Sequence, residues 1–337
     1  MIRLPEFDYY DPSTVEEAVA LKAEHGSEAM YVAGGTDLFP NMKRRQFEPK
    51  TLIGLREVGE LRAISNGSGL TIGAGVTLTD LANHSAVRRG YPSLANAAGL
   101  VSSPPLRNAG TIGGNLCLDT RCSYYNQSRD WRKALGFCMK LDGDTCWVAL
   151  SSQKCLAVSS SDCAPVVIAL GAEVRLVGPH GERTIPAEAL YRNDGMEYLD
   201  KSPDELLVSI NLPPREGWRT SYWKLRRRGS IDFPILSVAV ALRMEQDGFC
   251  AEARLVLGAV SSQPVLGTEA AGLLTGKRIT PELIREVAEL AAKPAKPLDN
   301  TDMTLSYRKK MVRVYVARAL SEAAGLTEGD EKENDPT

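Results

Sequence analysis

The stretch LRNAGTIGGN at residues 106–115 decides the fold, together with AGGTDL at residues 33–38. Both motifs contain two consecutive glycines beside side chains that can donate hydrogen bonds. Because consecutive glycines lack Cβ atoms, their backbone N–H groups can converge on an anion such as a pyrophosphate. Neither motif is a Walker A loop or a GxGxxG nicotinamide fingerprint. A single Gly-Gly pair is also typical of a tight turn, so it is the presence of both motifs that predicts a phosphate-binding cradle.

The composition is that of an ordinary globular protein of about two domains. The chain has 337 residues, of which 43% are hydrophobic and 24% charged, and these proportions exclude a wholly disordered chain. The 40 basic and 42 acidic residues leave a net charge of -2, which argues against a nucleic-acid-binding surface. No apolar run reaches the ~18 residues of a membrane span. The N-terminal sequence MIRLPEFDYYDPS lacks a secretory signal pattern, so we expect a cytoplasmic protein.

Short helices and strands are predicted to alternate up to about residue 216, before a second unit begins at about residue 220. Expected strands lie at residues 30–33, 70–78, 166–177, 236–244 and 252–260. Expected helices include one opened by a capping box at Ser13–Glu16 and ended by Gly26, one at residues 79–90, one opened by Thr280-Pro281, and one at residues 304–323 closed by Gly325. The acidic segment 326–337 is predicted to be a disordered tail.

The cysteines are unevenly distributed. Six of the seven fall within the 47 residues from Cys117 to Cys163, and Cys250 stands alone. In an exported protein this cluster would indicate disulfides, but we expect no export. In a cytosolic chain, clustered thiols are more often metal ligands or redox centres.

Six ordered landmarks give the chain a resemblance to a known family. They are AGGTDL (33–38), IGAGVTLTDLANH (72–84), LRNAGTIGGN (106–115), SSDCAPVVIALGAEV (160–174), ELLVSINLPP (205–214) and YWKLRRRGSIDFPILSVAVAL (222–242). The chain resembles the flavin subunits of the molybdenum hydroxylases, the xanthine dehydrogenase and carbon monoxide dehydrogenase group. The resemblance implies an α+β protein with a PCMH-type FAD-binding fold of two α/β subdomains at residues 1–216. A C-terminal domain with a three-stranded sheet and helices would follow at residues 217–325, with FAD between the domains.

The resemblance also implies which residues contact FAD. The cradle for its pyrophosphate would be the backbone of Val32, Ala33, Gly34, Gly35, Thr36 and Asp37 and of Thr111, Ile112, Gly113, Gly114 and Asn115. Asp162 would accept hydrogen bonds from the ribityl or ribose hydroxyls, and Lys224 would be a cationic partner of the cofactor. Val101 and Leu207 would supply apolar contacts. Without the resemblance, Lys224 would be interpreted as a solvated surface lysine and Leu207 as a core residue.

The chain departs from the family between two of its landmarks. Asn115 and Asp162 are separated by 46 residues, whereas family members have about ten at this point. We therefore expect an inserted loop at residues 117–158, whose four inner cysteines have the spacing C-x15-C-x7-C-x8-C. These are Cys122, Cys138, Cys146 and Cys155.

The spacing of the four inserted cysteines is by itself a weak signal, because it lacks CxxC pairs. Tetrahedral all-thiolate ligation suits zinc or an iron–sulfur cluster, and a cluster is the favoured interpretation in a redox subunit. A zinc staple and four buried thiols remain alternatives. Cys117 and Cys163 adjoin the FAD motifs and are interpreted as apolar core beside the flavin.

Within the family, a flavin subunit with such an insertion resembles the β subunits of 4-hydroxybenzoyl-CoA reductases. That resemblance implies FAD and a [4Fe–4S] cluster on this chain, with reduced ferredoxin as the electron donor. The enzyme would remove the phenolic hydroxyl of 4-hydroxybenzoyl-CoA reductively, in anaerobic aromatic degradation, at a molybdenum site on another chain. The partners would be a molybdopterin-binding large subunit and a [2Fe–2S] small subunit in a dimer of heterotrimers. This chain would hold no catalytic residue.

Two other functions remain open from the sequence. One is the flavin subunit of an aldehyde, carbon monoxide or purine dehydrogenase that works in the oxidative direction and carries a zinc-stapled insertion. The other is a non-catalytic assembly scaffold. The substrate itself cannot be inferred from this chain, because the resemblance locates the substrate site on a partner.

Overall fold

Three short parallel strands form the first sheet of the computed structural model, which describes residues 3–326. They are β1 (Asp8–Tyr10), β2 (Ala29–Val32) and β3 (Thr51–Gly54), in the order β1-β3-β2. The helices of this subdomain are α1 (Val15–His25) and α2 (Leu38–Lys43). The expected tail lies outside the described residues, apart from Leu326.

The start of α1 differs from the prediction by one residue. The capping residue is Thr14 rather than Ser13, since the Thr14 hydroxyl accepts a hydrogen bond of 3.1 Å from the Glu17 N–H. The Glu17 carboxylate in turn accepts from the Ser13 N–H at 2.8 Å. Both four-residue windows fit the capping pattern, and the sequence alone does not distinguish between them. Gly26 ends the helix with a φ of 53°, as predicted.

Five antiparallel strands form the second sheet, in the order β4-β5-β8-β6-β7. They are β4 (Ile64–Asn66), β5 (Leu70–Gly73), β6 (Glu173–Gly178), β7 (Gly181–Pro186) and β8 (Leu206–Leu212). The helices that accompany this sheet are α3 (Leu78–Asn83), α4 (Ser85–Gly90), α5 (Pro92–Leu100), α6 (Pro104–Arg107), α7 (Ile112–Leu116) and α9 (Cys163–Ala169). The two expected α/β subdomains are therefore present.

The predicted strand at residues 166–177 is wrong in its first half. Helix α9 occupies Cys163–Ala169, and the strand begins only at Glu173. All seven residues of α9 are buried, so the helix has no polar face to reveal its period. A short, continuous apolar run does not distinguish a buried helix from a buried strand.

The C-terminal domain is built on three long antiparallel strands, as expected. They are β9 (Trp218–Leu225), β10 (Leu236–Met244) and β11 (Phe249–Gly258). Two strands of two residues each, β12 (Val265–Leu266) and β13 (Lys277–Arg278), extend the sheet along β11. The helices are α10 (Thr268–Gly272), α11 (Pro281–Ala291) and α12 (Leu305–Ala324). Thr280 caps α11 and Gly325 ends α12 in a left-handed conformation, which confirms both predicted boundaries.

Strand β10 explains how this sheet joins the two domains. Leu236, Val238 and Val240 belong to the core shared with α11 and α12. The alternating residues Ala239 and Ala241 belong to the core shared with the FAD-binding domain. Because side chains alternate between the faces of a strand, small residues face the first domain and let its helices approach closely.

The expected insertion at residues 117–158 is a loop that contains one short helix, α8 (Arg129–Ala134). Its base is closed by two backbone hydrogen bonds between Arg121 and Val158, with lengths of 2.8 and 2.7 Å. The Ser123 N–H donates to the Asn300 carbonyl at 2.9 Å, which ties the loop to the C-terminal domain. Among the described helices, none is both long and apolar enough to cross a bilayer.

Candidate flavin and cysteine sites

A cavity of about 480 Å³ lies where the two glycine motifs meet the C-terminal domain. The predicted FAD contacts that line it are Val32, Ala33, Gly34, Gly35, Thr36, Asp37, Val101, Thr111, Gly114, Asn115 and Asp162. Residues 231–233 of the loop between β9 and β10 form part of its rim. The structure thus brings together residues as far apart in the sequence as Val32 and Phe233, which are 201 positions apart.

The glycines of the two motifs have different structural roles. A Cβ atom on Gly34 would lie 1.9 Å from the Ala109 carbonyl oxygen, so Gly34 lets the two motifs pack against each other. Gly35 has a φ of +66°, which favours glycine. A Cβ on Gly113 would lie 2.6 Å from the Ala74 Cβ and 2.8 Å from its carbonyl oxygen. A Cβ on Gly114 would meet only the Thr111 hydroxyl, at 3.1 Å.

Gly114 is therefore the motif glycine whose missing side chain leaves space on the cavity side. Thr111 caps α7 through a hydrogen bond of 3.1 Å from the Gly114 N–H, and this bond holds the turn in shape. The cavity combines a backbone cradle that a side chain would obstruct, apolar walls and hydrogen-bonding side chains. A lining of this kind fits a large dinucleotide such as FAD.

Four of the predicted FAD contacts do not line the cavity. Ile112 and Leu207 lie in the hydrophobic core, Gly113 packs on Ala74, and Lys224 is buried behind Asp162. Direct contacts between these four residues and a flavin stay predictions.

Asp162 and Lys224 form a buried ion pair at the cavity wall. The Lys224 Nζ atom lies 2.9 Å from one Asp162 carboxylate oxygen and donates to the Leu100 carbonyl at 3.0 Å. The Tyr222 hydroxyl donates to the other oxygen at 2.7 Å. Burial raises the pKa of the Asp162 carboxyl, while Lys224 and Tyr222 oppose that rise. Lys224 is thus buried and is not the solvated surface residue of the alternative interpretation. Its positive charge neutralises the Asp162 carboxylate.

We expect Lys224→Met to destabilise the chain by about 3–5 kcal/mol near neutral pH, because it leaves a buried carboxylate without its counter-charge. The pKa of Asp162 should rise further in the variant. When folding raises the pKa of a carboxyl, the protonated group stabilises the folded chain at pH values below its pKa in the unfolded chain. That stabilisation is lost as the pH rises through its pKa in the folded chain. The variant should therefore lose stability more steeply than the native chain from pH ~4 upward. Thermal unfolding across pH measures this.

The control for this experiment is Lys309→Met, which removes an exposed lysine from α12. Its effect on the free energy of unfolding should stay within about 0.5 kcal/mol. Equal pH profiles for Lys224→Met and the native chain would contradict the buried ion pair.

Arg121 is a cavity residue that the sequence interpretation missed. It belongs to the insertion, pairs with the Asp37 carboxylate and stacks 4.6 Å from the centre of the Phe233 ring. Its Nε atom is buried and has no hydrogen-bond partner within the described chain. Burial lowers the pKa of this guanidinium to about 10. No motif marks Arg121, because its position depends on how the loop folds back over the cavity.

The four inserted cysteines meet at a second, smaller cavity. Cys122, Cys138, Cys146 and Cys155 are all buried and line it together with aromatic residues. Burial raises the pKa of Cys122 to about 11 and that of Cys155 to about 12. Within residues 3–326, no group of three or more Cys, His, Asp or Glu side chains has the arrangement to hold a metal ion.

The two flanking cysteines lie elsewhere. Cys163 is fully buried in the core of the FAD-binding domain. Cys117 packs against the same core and also lines the larger cavity. The four inner cysteines thus share one cavity, and the two flanking cysteines lie outside it; their roles as ligands and non-ligands stay predictions.

Two family descriptions match the chain. Residues 5–215 match the FAD binding domain in molybdopterin dehydrogenase. Residues 220–323 match the CO dehydrogenase flavoprotein C-terminal domain. The carbon monoxide dehydrogenase medium chain of Hydrogenophaga pseudoflava is 30% identical, over 95% of this chain and 97% of the relative. The aldehyde oxidoreductase FAD-binding subunit of Escherichia coli K12 is 35% identical, over 77% and 82%.

Solved structures show the same fold. A carbon monoxide dehydrogenase chain from Hydrogenophaga pseudoflava superposes with a TM-score of 0.80 at 29% identity, covering 96% of this chain and 99% of that one. A quinoline 2-oxidoreductase chain from Pseudomonas putida 86 gives a TM-score of 0.75 at 25% identity, covering 96% and 99%. The expected α+β fold and family are thereby confirmed. The chain belongs to the FAD-binding subunits of the molybdenum hydroxylase family and is an oxidoreductase subunit.

Proposed function

We propose that this chain is the FAD and [4Fe–4S] electron-transfer subunit of a molybdenum enzyme that reduces 4-hydroxybenzoyl-CoA to benzoyl-CoA, with reduced ferredoxin as donor. The observation that carries the proposal is the convergence of Cys122, Cys138, Cys146 and Cys155 on one buried cavity. All four belong to the loop that also contributes Arg121 to the flavin cavity. A thiolate site so close to a flavin site supports electron exchange between the two.

Four thiolate ligands suit an iron–sulfur cluster as well as zinc. We propose the cluster because the four buried thiols line a cavity beside the flavin cavity. A one-electron centre has a role at that place in a redox subunit, whereas a zinc ion is redox-inactive. The raised pKa values of Cys122 and Cys155 mean that binding must release protons from these thiols.

When bound, FAD exchanges electrons one or two at a time and a [4Fe–4S] cluster exchanges one. The protein residues bind and position these groups. The two glycine motifs form the backbone cradle for the pyrophosphate, and Arg121 adds a positive charge at the same cavity. Asp162, held by Tyr222 and Lys224, offers its oxygens' remaining lone pairs to cofactor hydroxyls.

The partners follow from this role. The relatives are named as medium chains or FAD-binding subunits, so each is one component of a larger enzyme. We propose a molybdopterin-binding large subunit and a [2Fe–2S] small subunit, assembled as a dimer of heterotrimers with closed symmetry. The substrate would bind on the large subunit, and no residue of this chain would touch it.

A second candidate is the flavin subunit of an aldehyde or carbon monoxide dehydrogenase. Its support is the 35% identity to an aldehyde oxidoreductase subunit and the 30% identity to a carbon monoxide dehydrogenase chain. In that case the four cysteines would hold zinc or no metal.

The test is anaerobic purification of the native complex, followed by counts of iron, acid-labile sulfide, zinc and flavin. We expect one flavin and four irons per subunit beyond the irons of the partner. The complex should dehydroxylate 4-hydroxybenzoyl-CoA with a low-potential one-electron donor and should not oxidise carbon monoxide or aldehydes. Zinc in place of the extra iron, together with aldehyde or carbon monoxide oxidation, would establish the second candidate instead.

A further inference from the structure

A thin wall of side chains separates the flavin cavity from the cysteine cavity. Asp119 and Tyr198 line the flavin cavity. Lys140 and Tyr125 line the cysteine cavity. Asp119 and Lys140 meet within the wall, where the Lys140 Nζ atom lies 2.6 Å from an Asp119 carboxylate oxygen. A single ion pair therefore reaches from one cavity to the other.

The two charges are desolvated and fixed in position. Each side chain is only 6% exposed. The Lys140 ammonium also donates to the carbonyls of Gly195 at 2.8 Å and Thr120 at 3.2 Å. It lies 4.5 Å from the centre of the Tyr125 ring and 5.5 Å from that of Tyr198. These contacts hold the positive end of the pair at the cysteine cavity.

The negative end is less completely neutralised. The second carboxylate oxygen of Asp119 is buried and has no hydrogen-bond partner within the described residues. Among the residues that line the cysteine cavity, Lys140 is the single side chain with a permanent charge. The larger cavity has charged groups of both signs, including Asp37, Arg121 and Asp162. The ion pair is thus an oriented dipole with its cation at the thiols and its anion at the flavin site.

We propose that this dipole sets the difference in reduction potential between the two redox groups. Reduction adds a negative charge, so a nearby buried cation raises a reduction potential and a nearby buried anion lowers it. Lys140 raises the potential of the cluster and Asp119 lowers that of the flavin. The effect of Lys140 on the cluster potential, the cluster half of this inference, rests on the proposed function. The effect of Asp119 on the flavin potential, the flavin half, depends only on FAD binding.

The experiment measures both potentials in the intact complex, after flavin and iron contents have been matched to the native level. The cluster is titrated by electron paramagnetic resonance and the flavin by absorbance. Lys140→Met should lower the cluster potential, whether or not Asp119 becomes protonated. Asp119→Asn should raise the flavin potential. The matched controls are Lys133→Met and Asp130→Asn, two exposed positions of the same loop, where solvent screens the charge and both shifts should be small.

A buried charge without its partner can prevent folding, so the double variant Lys140→Met with Asp119→Asn is measured as well. It removes both charges, and the flavin potential should rise while the cluster potential falls. Potentials that match those of the controls, or shifts of the opposite sign, would overturn the inference. A native complex without the extra iron would overturn the proposed function and the cluster half together. The flavin half would still be decided by Asp119→Asn.

Discussion

Replacing any one of Cys122, Cys138, Cys146 and Cys155 by serine should abolish or convert the four-iron cluster of this subunit. Each thiolate would ligate one iron, and a serine oxygen is a harder and poorer ligand for iron–sulfur chemistry. All four thiols are buried at one cavity, so no other side chain replaces a lost ligand from solvent. We expect the iron count to fall by up to four per subunit. The electron paramagnetic resonance signal of the reduced cluster should disappear or change shape.

The same variants should leave the flavin site intact, because their side chains lie outside the larger cavity. A strong small-molecule reductant should still reduce the flavin, while turnover driven by ferredoxin collapses. Cys117→Ser and Cys163→Ser are the matched controls, since Cys163 lies in the core of the FAD-binding domain and Cys117 packs against that core, away from the cysteine cavity. They should keep the iron and disturb flavin binding at most. Iron loss from the two controls, with iron retained in the inner four variants, would reverse the assignment of ligands.

Replacing Gly114 by aspartate should give a folded subunit that is depleted of flavin. A Cβ at this position meets only the Thr111 hydroxyl, at 3.1 Å, so the chain can accommodate the side chain with a small shift. The added carboxylate would lie at the cradle for the pyrophosphate. At 4 Å and an effective dielectric constant of 20, the repulsion between two unit charges is ~4 kcal/mol. This is about a 1,000-fold loss of affinity, which flavin quantitation and fluorescence titration measure.

Two variants separate this effect from a loss of folding. Gly90→Asp adds the same charge on α4, where a Cβ has no neighbour within 4 Å, and it should keep the flavin. Gly113→Ala adds only a methyl group, but that group would press on Ala74 at 2.6 Å and should lower the thermal stability. Full flavin occupancy in Gly114→Asp would show that TIGGN does not hold the pyrophosphate.

The sequence by itself determined the parts of this protein that depend on local pattern. The glycine motifs and the order of the landmarks predicted the family and the α+β fold, and the comparisons confirmed both. The boundaries at Thr280 and Gly325 were predictable because caps and left-handed glycines act within a few residues. Other boundaries were wrong: the strand predicted at residues 70–78 ends at Gly73, and the helix predicted at residues 79–90 is interrupted at His84. The same locality explains two further errors. A capping pattern fits two adjacent windows at Ser13 and Thr14, and a wholly apolar run hides the period of α9.

Only the tertiary structure decided which residues share a site. The sequence marks Gly34, Gly113 and Gly114 alike. In the structure, Gly34 packs closely against Ala109 and Gly113 against Ala74, so these two glycines have a packing role. Lys224 and Leu207 belong to landmarks, yet one lies behind Asp162 and the other in the core. Arg121, Asp119 and Lys140 belong to no motif, and they reach the two cavities because the inserted loop folds back on itself. Burial and charge pairing arise between distant segments, so no local pattern encodes them.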